Sequence, residues 1–166
     1  MKKNFSDFPC EFNKKYGTSD HTPDVTIPVD NNLEILLDHD ENQHKRYIYA
    51  EERSRERDLG EAALNKNKVS VMLRWNCDGY RTSSGMKVPS CFQRSKVDGS
   101  YSIHPDRKDD YENRMAELYK VIRQIIETYK KGDLKNLHLP DDYPSTQAGL
   151  NGHLHVIKLF YDGHIN

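Results

Sequence analysis

The longest regular pattern of apolar residues lies between Pro105 and Gly132. Apolar side chains recur there at spacings of three and four residues, which places them on one face of a helix. Acidic residues crowd the first turns, lysines the last turn, and Gly132 stands where a C-terminal cap is expected. The pattern therefore predicts a helix from Pro105 to Gly132 that packs on a sheet. Its apolar face consists of Tyr111, Met115, Leu118, Ile122, Ile125 and Tyr129. Its exposed side is expected to carry Arg114, Lys120 and Arg123.

Shorter runs before this helix have the composition of β-strands. Residues 32–38 and 45–52 are separated by a polar loop, which favours a hairpin. Residues 68–75 are rich in β-branched and aromatic side chains, and the dipeptide Asp78-Gly79 that follows accepts positive φ in a tight turn. Further strand-like residues continue to Val88. These runs predict an α+β fold in which a three-stranded antiparallel sheet packs against one long C-terminal helix, with an extra hairpin and irregular arms.

The remaining segments carry weaker signals. Residues 52–68 alternate in charge, which is typical of either a short exposed helix or a linker, and Gly60 favours an interruption. We divide the chain into an extended arm over residues 1–31, an α+β domain over residues 32–131, and an irregular tail over residues 132–166. Within the tail, residues 153–162 are a candidate last strand.

Charge is distributed unevenly, although the net charge is only −1. Residues 1–41 contain four lysines and nine acidic residues, whereas residues 66–96 contain seven basic residues and one acidic residue. The chain is 35% hydrophobic and 31% charged, which is low and high, respectively, for a packed globule. A basic module thus follows an acidic arm, and we expect part of the chain to be ordered poorly or only by a partner.

Cysteine usage and hydropathy indicate a soluble cytoplasmic protein. Cys10, Cys77 and Cys91 lie far apart without C-x-x-C spacing, so free thiols in a reducing compartment are the simplest interpretation. The N-terminus lacks the apolar run of a signal peptide, and no stretch approaches the length of a membrane span.

The basic segment and the helix together resemble a known family. Leu73-Arg74, Asp78-Gly79, the run from Arg81 to Val88, the aromatic Phe92 and the early helical Asn113 follow one another over residues 68–130. This order is similar to that in the N-terminal arm-type DNA-binding domain of tyrosine recombinases, the integrases of phages and conjugative transposons. The resemblance implies that a sheet docks in the major groove of double-stranded DNA, where arginine and lysine can bond bidentately to guanine.

The resemblance also implies a set of DNA-contacting residues. Arg81 is the first candidate for a base contact, whereas Ser83, Arg94 and Lys96 are candidates for phosphate contacts, and the sequence does not decide between these roles. The full set is Arg74, Tyr80, Arg81, Thr82, Ser83, Lys87, Arg94 and Lys96.

We expect this binding to be non-catalytic and to need no cofactor. About 35 residues follow the helix, which is too few for the catalytic domain of a tyrosine recombinase. Double-stranded DNA is the expected partner, with a recombinase or another protein as a second one. An interaction module that binds protein through its acidic arm is the main alternative. A metal site at His153, His155 and His164 has little support, because no cysteine or carboxylate cluster completes it.

Overall fold

The computed structural model of the chain describes residues 8–40, 49–132, 145–147 and 153–162. These residues form a mixed α+β protein, as the sequence predicts, with one large sheet and two small two-stranded sheets. The strands are β1 (Glu11–Phe12), β2 (Val25–Pro28), β3 (Leu33–His39), β4 (Val69–Trp75), β5 (Tyr80–Arg81), β6 (Lys87–Val88), β7 (Phe92–Arg94), β8 (Tyr101–Ile103), β9 (Ser145–Gln147) and β10 (Leu154–Leu159). The α-helices are α1 (Tyr49–Asn65) and α2 (Lys108–Lys130).

The described residues fall into two compact units. The first unit holds residues 8–39, 49–74, 145–147 and 153–158, and the second holds residues 40, 75–132 and 159–162. The chain passes from the first unit to the second within β4, between Arg74 and Trp75, and again within β10, between Lys158 and Leu159. Among the described residues, no helix combines the length and the apolar character needed to cross a membrane.

The large sheet has the strand order β1-β2-β3-β4-β10-β9 and is mixed. Neighbours are antiparallel from β1 to β3 and between β10 and β9. In contrast, β3 and β4 run parallel, because Val69 N–H donates to Asn32 O near one end and Asp40 N–H donates to Trp75 O at the other. Two equivalent bonds join β4 to β10. The central strands β3 and β4 are buried almost throughout, as strands covered on both faces are, and they include the buried charged residues Glu34, Asp38 and Arg74.

Helix α1 provides the crossover that parallel β3 and β4 require. Its buried residues Leu59, Ala62 and Ala63 are spaced to share one face, and they pack in the core of the first unit with Leu36 and Met72. The chain turns sharply after the helix, where Asn67 has a φ of 53°.

The structure confirms the helix that the hydropathy pattern predicted, here α2. Met115, Leu118, Ile122 and Ile125 are buried as predicted, and a 3-10 turn over Pro105–Arg107 precedes the helix. The predicted end is also confirmed, because Gly132 has a φ of 73° and its N–H bonds to the third carbonyl before it.

The predicted three-stranded antiparallel sheet is wrong. Strand β4 belongs to the large mixed sheet, whereas β5 pairs only with β6, and β7 only with β8, in the part of the chain that is described. The predicted hairpin over residues 32–52 is also wrong, because the chain is helical from Tyr49. Residues 45–48 lie outside the described residues.

Three local predictions failed for identifiable reasons. Gly60 does not interrupt the helix, because it lies buried within α1, where a side chain is not needed. Gly79 is not among the described glycines with positive φ, whereas Gly85 is, at 86°. The tight turn therefore falls between β5 and β6 rather than at Asp78-Gly79. Arg114 is not on an exposed face but is 4% exposed.

Candidate nucleic-acid interface

The first hairpin of the second unit, residues 80–88, is shaped by one buried threonine. Thr82 N–H donates to Met86 O at 2.9 Å, and its hydroxyl oxygen accepts the Met86 N–H at 3.0 Å. The same hydroxyl hydrogen-bonds to Ser84 Oγ at 2.8 Å. Gly85 N–H closes the turn onto Thr82 O at 2.9 Å. These bonds fix the tip of the hairpin and leave Ser83 exposed.

Two cations lie directly opposite each other on this hairpin. Arg81 and Lys87 are partners in the β5–β6 register, and both are exposed. Like charges in this position are unfavourable for an isolated hairpin. The backbone N–H of Arg81 donates to Asp162 Oδ1 at 2.8 Å, and within the described residues its side chain donates to the Gly85 carbonyl at 3.4 Å.

The second hairpin, residues 92–103, carries an arginine beside an exposed tyrosine. Arg94 and Tyr101 face each other in the register, with the guanidinium carbon 6.0 Å from the ring centroid. Arg94 Nε also donates to Gly99 O at 3.2 Å. Tyr101 is 71% exposed, and every residue of β8 is exposed. The hairpin therefore presents both an aromatic ring and a partly fixed guanidinium to solvent.

An exposed turn ends this second hairpin. Asp98 accepts the Ser100 N–H at 3.1 Å and the Ser100 hydroxyl at 2.8 Å. Hydrogen bonds from Ser95 and Ser100 lower the pKa of Asp98 to about 2, so its carboxylate is ionised near neutral pH. It is the single acidic residue between residues 80 and 103, against the four basic residues Arg81, Lys87, Arg94 and Lys96.

Arg114 of α2 connects the two segments that flank the first hairpin. Its guanidinium donates to the carbonyls of Asn76 at 3.3 Å, Asp78 at 3.0 Å and Pro89 at 3.1 Å. It also lies over the Tyr80 ring, 5.1 Å from the centroid. The cation is thus bound by backbone dipoles and an aromatic ring, and it holds the segments that enter and leave the first hairpin.

A second set of polar contacts reinforces these segments. Asn76 Oδ1 accepts the Asp78 N–H at 3.0 Å, and Asn76 Nδ2 donates to Phe160 O at 2.7 Å. Ser90 Oγ donates to Asp78 Oδ1 at 2.8 Å and accepts the Phe92 N–H at 3.0 Å. Both hairpins therefore begin from a well-bonded base, although their tips are exposed.

The structure separates the eight residues predicted to contact DNA into two groups. Arg81, Ser83, Lys87, Arg94 and Lys96 are exposed on the two hairpins. We call these five residues the hairpin surface. The other three residues are buried: Arg74, Tyr80 and Thr82.

The buried residues have structural contacts. Arg74 lies in the first unit, where its guanidinium forms ion pairs with Glu52 and Glu56 of α1. Tyr80 packs against Arg114, and Thr82 bonds within its own hairpin. None of these side chains belongs to the exposed surface.

The basic residues of the hairpin surface lack carboxylate partners among the described residues. Two exposed cations of α2 differ, since Lys120 lies 3.0 Å from Glu117 and Lys108 lies 3.6 Å from Glu112. A bound polyanion could pair with the hairpin cations without displacing a carboxylate of the described residues, whereas Lys108 and Lys120 are already paired.

No protein-family model, curated protein or solved structure matches the chain. The site is therefore interpreted from its own geometry. In the described part of the chain, no group of three or more His, Cys, Asp or Glu side chains is placed to hold a metal ion. His153 bonds instead to the Lys68 carbonyl, at 2.9 Å, and His164 lies outside the described residues.

Sequence reasoning missed Arg114 and Tyr101. Arg114 lies one position before Met115, at the edge of the apolar stripe, and this position was the available signal that it is buried. Tyr101 carried no local signal, because its pairing with Arg94 depends on where the second hairpin turns.

Proposed function

We propose that the hairpin surface binds double-stranded DNA without catalysis. The observation that supports this proposal is the set of four exposed cations without carboxylate partners among the described residues, two of which oppose each other directly. Phosphate groups would neutralise this repulsion and release counterions from the DNA.

The form of the hairpins suits a groove. A two-stranded β-ribbon fits the major groove of B-DNA, and residues on its exposed faces can reach base edges. Every residue of β8 is exposed, as are Gln93 and Arg94 of β7, so this hairpin has the free surface that insertion requires. In this arrangement Arg94 would read a base, because its guanidinium is oriented by Gly99 O and Tyr101.

The first hairpin would contact the backbone of the same duplex. Arg81, Lys87 and Ser83 cluster within a few residues on an exposed turn and can each contact phosphate oxygens. Arg94, rather than Arg81, is therefore the residue that we propose for a base contact. Arg74, Tyr80 and Thr82 have no place in this contact, because they are buried. The resemblance to arm-binding domains supports a recombinase as a second partner.

A titration against a fluorescent duplex at several salt concentrations tests the proposal. If Arg81, Lys87 and Lys96 contact phosphates while Arg94 contacts a base, the logarithm of the association constant should fall with the logarithm of salt concentration with a slope of about −3. Arg81→Ala combined with Lys87→Ala should weaken binding and reduce the magnitude of this slope by about 2.

A matched control removes two cations from α2. Lys108→Ala combined with Lys120→Ala changes the net charge equally but removes residues already paired with carboxylates. Equal loss of binding in both double variants would show that only total charge matters. Absence of duplex binding, or binding indifferent to salt, would refute the proposal and favour the protein-interaction alternative.

A further inference from the structure

Cys77 and Cys91 are neighbours at the base of the first hairpin. Cys91 N–H donates to Cys77 O at 2.9 Å, and both residues are free cysteines with no exposed surface. This backbone bond places the two residues side by side, and their thiols are close enough to hydrogen-bond to each other. A disulfide needs such a placement, with Cα atoms about 4.4–6.8 Å apart.

The two thiols also interact with each other. A hydrogen bond from the Cys77 thiol lowers the pKa of Cys91, and the positive charge of Arg114 acts in the same direction against the effect of burial. Burial and the same hydrogen bond raise the pKa of Cys77. The pair is therefore asymmetric, with Cys91 the better thiolate and Cys77 the proton donor.

We propose that Cys77 and Cys91 form a redox-active dithiol that hydroperoxides convert to an intramolecular disulfide. The Cys91 thiolate attacks the terminal oxygen of the hydroperoxide, which breaks the O–O bond, forms a sulfenic acid and releases an alcohol or water after protonation. The Cys77 sulfur then attacks the Cys91 sulfur, forming the S–S bond and releasing water. Overall, two thiols are oxidised, one hydroperoxide is reduced, and thiol reductants reverse the change.

Burial determines which oxidants and which products are expected. Both sulfurs are covered, so a small hydroperoxide is favoured over a bulky disulfide as the oxidant. Burial also disfavours bonds between two copies of the chain. Cys10 is only half-buried and lies in the first unit, so it is not part of the pair.

The disulfide would enclose the first hairpin in a covalent loop. Residues 80–88 lie between the two cysteines, so oxidation would restrain the segment that carries Arg81 and Lys87. An effect on DNA binding rests on the proposed function, whereas the disulfide itself does not.

The test uses the full chain with Cys10→Ser, so that two thiols remain. The protein is treated with hydrogen peroxide, quenched, alkylated and weighed by mass spectrometry, and its peptides are mapped. We expect a mass lower by two hydrogen atoms, a Cys77–Cys91 cross-linked peptide, and full reversal by dithiothreitol. Amide hydrogen exchange in residues 80–88 should be slower in the oxidised protein.

Single variants distinguish the two roles. Cys77→Ser in the same background should accumulate a Cys91 sulfenic acid that dimedone captures, whereas Cys91→Ser should react far more slowly. The folded Cys10→Ser protein is treated with peroxide, quenched and then unfolded in denaturant for alkylation; if both thiols are then fully alkylated, or if the cross-link joins two chains, the proposal is refuted. Neither measurement needs DNA, so failure of DNA binding leaves the outcome unaffected.

Discussion

Replacement of Arg114 by methionine should loosen the first hairpin without changing any residue of the hairpin surface. The substitution keeps an unbranched side chain of similar length in α2 but removes the guanidinium. It deprives the carbonyls of Asn76, Asp78 and Pro89 of their donor and removes the cation from the Tyr80 ring.

The expected cost can be worked from these contacts. Three hydrogen bonds at about 1 kcal/mol net each, and a cation–π contact of about 1 kcal/mol, give a loss of about 4 kcal/mol. Relief of the buried charge offsets part of this loss, so we expect about 3 kcal/mol. Arg114→Lys keeps the charge but cannot reach three carbonyls with one ammonium group, and should lose about half as much.

Chemical denaturation, followed by circular dichroism and by hydrogen exchange of hairpin amides, measures the effect. The Thr82 and Cys91 amides, which bond across the hairpin and its base, should lose protection first in Arg114→Met. Duplex affinity should fall while the salt dependence of binding stays the same, because no phosphate contact is removed. If Arg114→Met lowers the free energy of unfolding by less than about 1 kcal/mol, the contacts of Arg114 do not stabilise the protein as argued.

Two further predictions concern the first unit and the hairpin turn. Burial raises the pKa of Glu34, but hydrogen bonds from Lys68 and Lys66 outweigh it, so the pKa in the folded protein is lowered. The ionised Glu34 therefore stabilises the fold above the ordinary carboxylate pKa of about 4.3. This stabilisation is lost as the pH falls through the lower pKa of the folded protein. Glu34→Gln should therefore flatten the acid limb of stability measured by thermal unfolding across pH, and an unchanged limb would contradict this. Gly85→Ala should cost about 1 kcal/mol, because φ is 86° while no atom lies within 4 Å of the added Cβ, and an unchanged melting temperature would argue against strain there.

Local periodicity was enough to predict α2, because its apolar stripe and its glycine end are both encoded within one segment. Strand β3 and the last strand, β10, were also found from composition. The sequence left open whether residues 52–68 form a short exposed helix or a linker. Helix α1 buries small residues such as Ala62 and Ala63 beneath a mostly charged exterior. Such a helix has only a weak hydropathy signal.

The sheet could not be deduced from the same information. Strand β4 was correctly placed along the chain, but its partners are β3 and β10, which are separated from it by a helix and by the second unit. Neighbouring strands in sequence were assumed to pair, and this assumption fails for parallel strands. Among the candidate site residues, Lys87 lies next to a turn and is exposed, whereas the burial of Arg74 depends on acidic residues of α1 that are distant in sequence.

The second unit is assembled from separate parts of the chain, and this has a consequence for fragments and for evolution. Strands β4 and β10 are adjacent and parallel, and the Asn76 N–H bonds to Leu159 O where both strands leave the large sheet. Residues 75–132 therefore share the second unit with residues 159–162, whose Phe160 carbonyl and Asp162 carboxylate accept hydrogen bonds from Asn76 and Arg81. A fragment that ends after α2 would lack these acceptors, so the hairpins and their helix are not a module that one excision or insertion transfers intact.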